Sequence, residues 1–327
     1  MTESKLLEAA VAGNESAYAE LVEAHRRALL AHCYRMLGSV HDAEDAVQET
    51  LLRAWRSLAS FQGRSSIRSW LYTIATNACL RAIERRPGRV LPVGYGPPAD
   101  PRSPLGEPLV ESTWIEPYPD ERLGLDDGPA GPDARYEQRE SIELAFVAAL
   151  QHLPARQRAV LILRDVLGFS GAEVATALAT TPASVYSMLQ RAHQTVEQRI
   201  PELSQQATLR SLGDERLRAI VEGYVRAWER NDVDALAAML TDSATIAMPP
   251  AATWYRGRDA VVAVLKELPL SCGTTWRMTP TRANGQLAVL GYLPDASGTF
   301  VPNHLAVLTL RGPLIDEINA FVIATSH

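Results

Sequence analysis

The chain has 327 residues, 46% hydrophobic content and a formal net charge of −6, a length natural for two or three domains and a composition able to bury real cores. Its three cysteines, Cys33, Cys79 and Cys272, lie far apart with no CxxC or Cys/His spacing, which argues against a disulfide frame and a zinc site and for reduced thiols. With no basic start leading into an apolar run and no segment of membrane-spanning length, the expectation is a soluble, cytoplasmic protein with no membrane, metal or cofactor requirement.

The first segment, 1–86, reads as helices throughout. In "SAYAELVEAHRRALLAHCYRML" apolar residues recur at helical spacing and Gly38 is a stop. "HDAEDAVQETLLRAWRSL" follows, with Ala46, Val47, Leu51, Ala54 and Trp55 on the buried side. It also crowds Asp42, Glu44, Asp45 and Glu49 onto one short stretch. Like charges three or four residues apart on a helix repel, so either this is a solvated face or a basic partner relieves the repulsion.

After the Gly-containing loop "FQGRSS", a helix from about Ser66 has Ile67, Leu71, Ile74 and Ala78 as its core stripe. The opposite face carries Arg68, Ser69, Tyr72, Thr73, Thr76, Asn77, Arg81 and Arg85. Aromatic, amide and guanidinium groups on one exposed face suit phosphate contact, base stacking and edge readout, with a merely solvated polar face as the alternative.

Residues 87–133 hold nine acidic and three basic residues, and so carry the whole net charge of −6; they also hold eleven of 21 prolines and seven of 20 glycines. Such a segment reads as a linker unable to build its own core. Within it "WIEPYPD" keeps two aromatics and Ile115, which a pure spacer does not need and which point to docking.

From 134 to 200 the pattern is helical again. Pro154 opens a helix, Gly168 breaks it, Ser170 and Glu173 form a capping box, and "ATT" makes a tight turn. Thr181 then caps a last helix with Pro182 in its first turn. In that helix Val185, Leu189, Ala192 and Val196 form the buried stripe, leaving Ser184, Tyr186, Ser187, Gln190, Arg191 and Gln194 outward. Short helix, tight turn and second helix are helix-turn-helix geometry, in which the second helix enters the major groove.

The tail, 213–327, changes texture. Two helices, with Leu217, Ile220, Val221, Tyr224 and Trp228 on the apolar face of the first, lead into a strand, and "GRDAVVAVLKEL" gives another helix. Alternating runs separated by Gly, Pro and Asn turns follow. Helices first and an antiparallel meander afterwards read as α+β.

The region from about Ser16 to Ile200 resembles the sigma-70 family initiation factors of the extracytoplasmic-function type. "DAEDAVQETLLRAW", "FQGRSSIRSWLYTIATNACLR" and "LPARQRAVLILRDVLGFSGAEVATALATTPASVYSMLQRA" stand in the family's order. The tail, through its helical opening and "LTDSATIAMPP", resembles a SnoaL-like domain, a cone-shaped α+β fold around an apolar pocket. The resemblance implies a multidomain chain of two all-α sigma domains, a helix bundle and a helix-turn-helix, joined by a linker and followed by the SnoaL-like domain.

It further implies core RNA polymerase and promoter DNA as partners. Asp42, Glu44, Asp45, Gln48 and Glu49 would face the polymerase clamp. The loop Phe61, Arg64, Ser65 and Ser66, with Arg68, Trp70, Asn77, Arg81 and Arg85, would open and hold the −10 element. Ser184, Tyr186, Ser187, Gln190 and Arg191 would read the −35 element, where Tyr186, Met188 and His193 stand in place of the basic residues many members carry, implying modest affinity.

An anti-sigma factor, or a small-molecule ligand of the tail, is the further partner expected, and Trp228, Trp254, Tyr255 and His304 are candidate pocket residues. The expectation is a non-enzyme. Enzymes of the ketosteroid isomerase type carry an acid on the strand corresponding to "ATIAMPP", and this strand has none. Two rivals stand beside it: a helix-turn-helix regulator with a ligand-binding tail, and a SnoaL-like isomerase or hydrolase with a DNA-binding appendage.

Overall fold

The computed structural model describes residues 2–63, 65–85, 88–102, 114–123, 139–200, 203–270 and 275–323. Arg64, among the expected DNA contacts, lies outside them. The chain forms two compact units that do not follow sequence order: 1–89 with 121–200, and 90–120 with 201–327.

The first unit is helical: α1 (Glu3–Val11), α2 (Glu15–Leu37), α3 (Val40–Ser57), α4 (Ile67–Glu84), α5 (Leu144–Gln151), α6 (Ala155–Leu161), α7 (Gly171–Ala177) and α8 (Pro182–Glu197). Short polar side chains start these helices by satisfying orphan N–H groups. Asn14, Ser39, Ser66 and Thr181 accept from the backbone N–H three residues on. Gly38, at φ 68°, ends α2 in the left-handed conformation. Leu21, Leu29, Met36 and Leu71 are buried to 2% exposure or less where α2 packs on α3 and α4.

The capping box at α7 is complete in both directions, Ser170 to Glu173 and back. One feature had no signal in the sequence: Ile162–Val166 is a π turn continuing α6. In α8 the buried stripe is Val185, Met188, Ala192 and Val196. Met188 therefore replaces the expected Leu189, which is only half-buried.

In the second unit α9 (Gln205–Glu229) is two helices joined at a kink, Gly213, whose φ of 73° and ψ of 161° are not helical. It is followed by α10 (Val233–Ala238) and α11 (Arg258–Glu267). Six strands, β1 (Leu240–Ala247), β2 (Trp254–Arg256), β3 (Arg277–Ala283), β4 (Gln286–Pro294), β5 (Phe300–Arg311) and β6 (Leu314–Val322), form one sheet. Their order is β2-β1-β6-β5-β4-β3. The expected meander is β3 to β6; a parallel β1–β6 pairing joins it to the β1–β2 ribbon. Leu217, Ile220 and Tyr224 of α9 share the core with Ile246, Val289, Leu308 and Ile318 of the sheet.

Two expected boundaries shift. The tail starts before residue 213, because the Gln205 side chain is paired twice with the backbone of Leu310: its Nε2 donates to the carbonyl and its Oε1 accepts the N–H, both at 2.8 Å. The expected linker also divides, its residues 90–120 belonging to the second unit.

Candidate polymerase and DNA interface

On α3 the acidic residues separate into two roles. Asp42 faces inward: its side chain is 9% exposed and its Oδ2 accepts from Arg89 Nη2 at 2.8 Å. It is therefore not part of a partner-facing patch, the reason being a basic residue 47 positions away. Asp45 and Gln48 are exposed, and Glu44 and Glu49 half-buried. Glu44 pairs with Arg122 at 3.1 Å, Asp45 with His41 at 4.0 Å, and Glu49 with Arg53 and, at 3.9 Å, Arg81. Exposed pairs of this kind hold by about 0–1 kcal/mol each, so a basic partner can displace them.

Phe61, in the loop before α4, and Trp70, in its first turn, pack as tilted rings 5.0 Å apart between centres. Ser65 is exposed, and the hydroxyl of exposed Ser66 is engaged by the Ser69 N–H as the helix cap. Exposed Arg68 and Arg85, with half-buried Asn77 and Arg81, share the outer side. Tyr72 and Thr76 do not belong to it: they are 3% and 0% exposed. Thr76 Oγ1 lies 2.9 Å from His32 Nε2, and burial holds the His32 imidazole down at about 3, with Arg35 adding to the effect, so it is neutral.

Arg68 and Asn77 have partners across the unit. Arg68 Nη2 donates to the carbonyl of Leu167 at 2.9 Å, with its guanidinium 4.5 Å from the centre of the Phe169 ring. Asn77 Nδ2 donates to the Thr73 carbonyl at 2.9 Å and reaches the Ala177 carbonyl at 3.5 Å. Between them, Ser69 Oγ donates to Glu173 Oε1 at 3.2 Å. The Glu173 carboxyl is held below its ordinary range by the Ser170 N–H and hydroxyl first, with Ser69 and Arg68 assisting.

The second helix of the helix-turn-helix, α8, presents Tyr186, Ser187, Gln190 and Arg191 exposed and Ser184 half-buried. The Tyr186 ring lies against α7 at Gly171, where a β-carbon would meet its Oη at 3.4 Å. His193 Nε2 lies 2.5 Å from Asp165 Oδ2 of the π turn.

In the second unit the four candidate pocket residues part company. Trp228 and His304 meet at 5.4 Å between ring centres, and Trp276 packs edge-on to both at 5.2 and 5.3 Å. Tyr224, one turn before Trp228, joins them at 6.0 Å. Trp276 and Tyr224 were not among the candidates; helical spacing places Tyr224 beside Trp228, but no sequence signal brings in Trp276. Tyr255 is buried in the same core, 1% exposed. Trp254 points elsewhere: its Nε1 donates to the Gly96 carbonyl at 2.8 Å, and its carbonyl accepts the Ala99 N–H at 2.8 Å. Tyr224 Oη, Trp228 Nε1 and His304 Nε2 are buried and have no hydrogen-bond partner among the described residues. Burial holds His304 at about 4 and pushes the Tyr224 phenol well up.

The "WIEPYPD" stretch forms a strap on this unit. Trp114 Nε1 donates to the Pro250 carbonyl at 2.9 Å. The Tyr118 N–H donates to Asn284 Oδ1 at 2.8 Å, and the Asn284 N–H returns a bond to the Tyr118 carbonyl at 2.9 Å. Asp120 Oδ1 accepts from the Gly285 N–H at 2.8 Å. Ile115 and Tyr118 are fully buried.

Comparisons with known proteins follow the same partition. Residues 21–87 match Sigma-70 region 2, residues 143–196 match Sigma-70, region 4, and residues 221–313 match the SnoaL-like domain. The chain is 44% identical over 313 residues to the ECF RNA polymerase sigma factor SigG of Mycobacterium tuberculosis, covering 93% of this chain and 80% of that protein. It is 28% identical over 247 residues to SigJ of the same species, covering 73% and 69%. The crystal structure of SigJ shares the fold with a TM-score of 0.58 at 21% identity, over 93% of this chain and 96% of that one. Among the described residues no helix is long and apolar enough to cross a membrane.

Proposed function

We propose a division of labour for this chain, which belongs to the extracytoplasmic-function RNA polymerase sigma factors. The exposed acidic face of α3 docks on core polymerase, α4 with the Phe61–Ser66 loop holds the −10 element, and α8 reads the −35 element. The observation that carries this reading is the separation of charge on adjacent helices. Asp45, Gln48 and Glu49 face out from α3, while Arg68, Asn77, Arg81 and Arg85 lie on the outer side of α4. An acidic patch steers toward basic protein and not toward DNA, whereas guanidinium and amide groups suit phosphates and base edges. An anti-sigma factor would compete for these same surfaces.

The SnoaL-like domain acts as a built-in regulator without catalysis. Among the described residues, the aromatic cluster brings together a phenol, an indole and a neutral imidazole, with no carboxylate in ring contact with them. The strap supports regulation, because residues joining the two DNA-binding parts are bonded into this domain through Trp114, Tyr118 and Asp120. A small ligand that reorders the Trp228–His304 cluster is the second route of control, favoured by the three unpartnered polar atoms there.

The test is promoter-dependent transcription with core polymerase, comparing the full chain with a chain ending at Ile200. Equal transcription from both at all concentrations and salt levels overturns the regulatory role; no transcription from either overturns the assignment of the three helices.

A further inference from the structure

Two of the side chains assigned to the −10 element are already engaged. Arg68 and Asn77, with Ser69 between them on the same helix face, bond to Leu167, Ala177 and Glu173, all on the helix-turn-helix side of the first unit. Phe169 slides under the Arg68 guanidinium and meets the Tyr72 ring edge-on at 5.4 Å, with only 4% of its surface exposed. A second set of contacts pins the same two parts together on the other side of α2. Arg35 donates to the Ser141 carbonyl at 3.1 Å and its hydroxyl at 2.7 Å. Arg158 Nη1 donates to the Met36 carbonyl, and Gln151 Nε2 donates to the Arg35 carbonyl at 3.3 Å.

This arrangement conflicts with simultaneous promoter reading. Elements at −10 and −35 lie about 25 base pairs apart, roughly 80 Å of duplex at about 3.4 Å per pair. Yet α7, seven residues long and thus about 10 Å at 1.5 Å per residue, packs against both α4 and α8. Helices bridged by so short an element cannot occupy both promoter elements at once.

We infer that this is a closed state of the sigma factor in which the −10-reading side chains of α4 are themselves the latch, so that promoter DNA and the helix-turn-helix compete for the same donors. The inference rests on the −10 assignment above. Arg68 exchanges the Leu167 carbonyl for phosphate, and Asn77 exchanges the Ala177 carbonyl for a base edge. The exposed Arg68–Leu167 and Ser69–Glu173 bonds lie at the rim, where an incoming strand can replace them one at a time. Closure lowers apparent promoter affinity by the fraction of molecules that are open: a tenfold preference for the closed form costs about tenfold.

The latch is tested from the side that does not touch DNA. Donor and acceptor dyes on Ala24→Cys and Glu197→Cys, both at exposed positions outside the faces assigned above, report the separation of α2 and α8 in the full chain. High energy transfer is expected in the free protein and a fall on adding core polymerase. Phe169→Ala, and Glu173→Gln, which retains a capping side chain, are expected to lower transfer in the free chain. They should also speed open-complex formation several-fold. In a third form, Ser69→Cys with Glu173→Cys joined by a short cleavable bis-maleimide, open complexes should be lost and return on cleavage.

Unchanged transfer and melting rates in both single variants, or normal promoter melting by the joined form, overturns the latch. Opening by Phe169→Ala with no gain in melting overturns the competition. An Arg68→Ala chain that melts promoters normally faults the −10 assignment instead.

Discussion

The His304 imidazole lies flat against Gly291: a β-carbon placed at 291 would sit 2.3 Å from its Cε1 and under 3 Å from both ring nitrogens. The two residues are register partners in β4 and β5, at a point where the pairing shifts. Trp228 and Trp276 hold the imidazole from other directions, so the ring cannot simply swing away. Gly291→Ala should overpack this site, lowering stability by about 1–3 kcal/mol, and Gly291→Ala with His304→Ala should recover part of the loss. Chemical denaturation of the single and double variants measures it.

The two roles of the α3 carboxylates separate by measurement. Asp42→Ala removes the buried carboxylate that Arg89 pairs with at 2.8 Å, and breaking a buried pair from one side costs about 3–5 kcal/mol, which should appear as a large fall in melting temperature. Asp45→Lys with Glu49→Lys removes only exposed pairs. That variant should melt within a few degrees of the parent yet fail to co-purify with core polymerase.

Asn77→Ala should spare core binding and impair promoter opening. Permanganate reactivity of −10 thymines is the readout, and a deficit of tenfold or more at equal core occupancy is expected. The Thr73 bond is local to one helix and the Ala177 contact is long, at 3.5 Å, so the variant should fold normally while losing one of the latch contacts.

Acid should weaken the folded state through its two buried histidines. Burial lowers His304 from the ordinary 6.5 to about 4 and His32 to about 3. The unfolded chain therefore takes up these protons first. The stability they confer is full above about pH 6.5 and drains away as the pH falls through 5 towards 4 and then 3, by a total for His304 of about 3 kcal/mol. His304→Asn should melt lower at pH 7 but show a flatter pH dependence between pH 6.5 and 4.5 in the transition of the second unit.

Asn284→Gly should release the strap without undoing the hairpin. Asn284 adopts a φ of 54°, which glycine tolerates, while its side chain accepts the Tyr118 N–H. Hydrogen exchange at the Tyr118 amide should quicken by tenfold or more, and transcription should shift in the same direction as in the chain ending at Ile200.

What was legible in the sequence follows from how far each feature reaches. Helix starts at Ser66, Ser170 and Thr181 and the stop at Gly38 depend on residues within one turn, and they stand where local chemistry places them. The outward faces of α3 and α8 follow from helical period, apart from Met188 and Leu189 exchanging depth. What periodicity does not encode is a partner far along the chain. Asp42 turns inward because of Arg89, Tyr72 is covered by Phe169, and Trp254 leaves the aromatic cluster because Gly96 and Ala99 engage it. The strap was legible only as an anomaly: its aromatics signalled docking, while Asn284, its acceptor, carried no mark beyond a turn.

That acceptor lies 166 residues downstream of Tyr118, a separation that acquires a meaning during synthesis. A ribosome adding about 5–20 residues per second takes roughly 8–30 s to cover it. Both DNA-binding parts have emerged by then, while Ile115 and Tyr118 still have no sheet to rest on. Each new molecule thus passes through an interval in which both sigma domains are complete and the strap between them is not yet anchored. A ribosome stalled short of β4 would hold that form, before Asn284 and Gly285 are available to Tyr118 and Asp120.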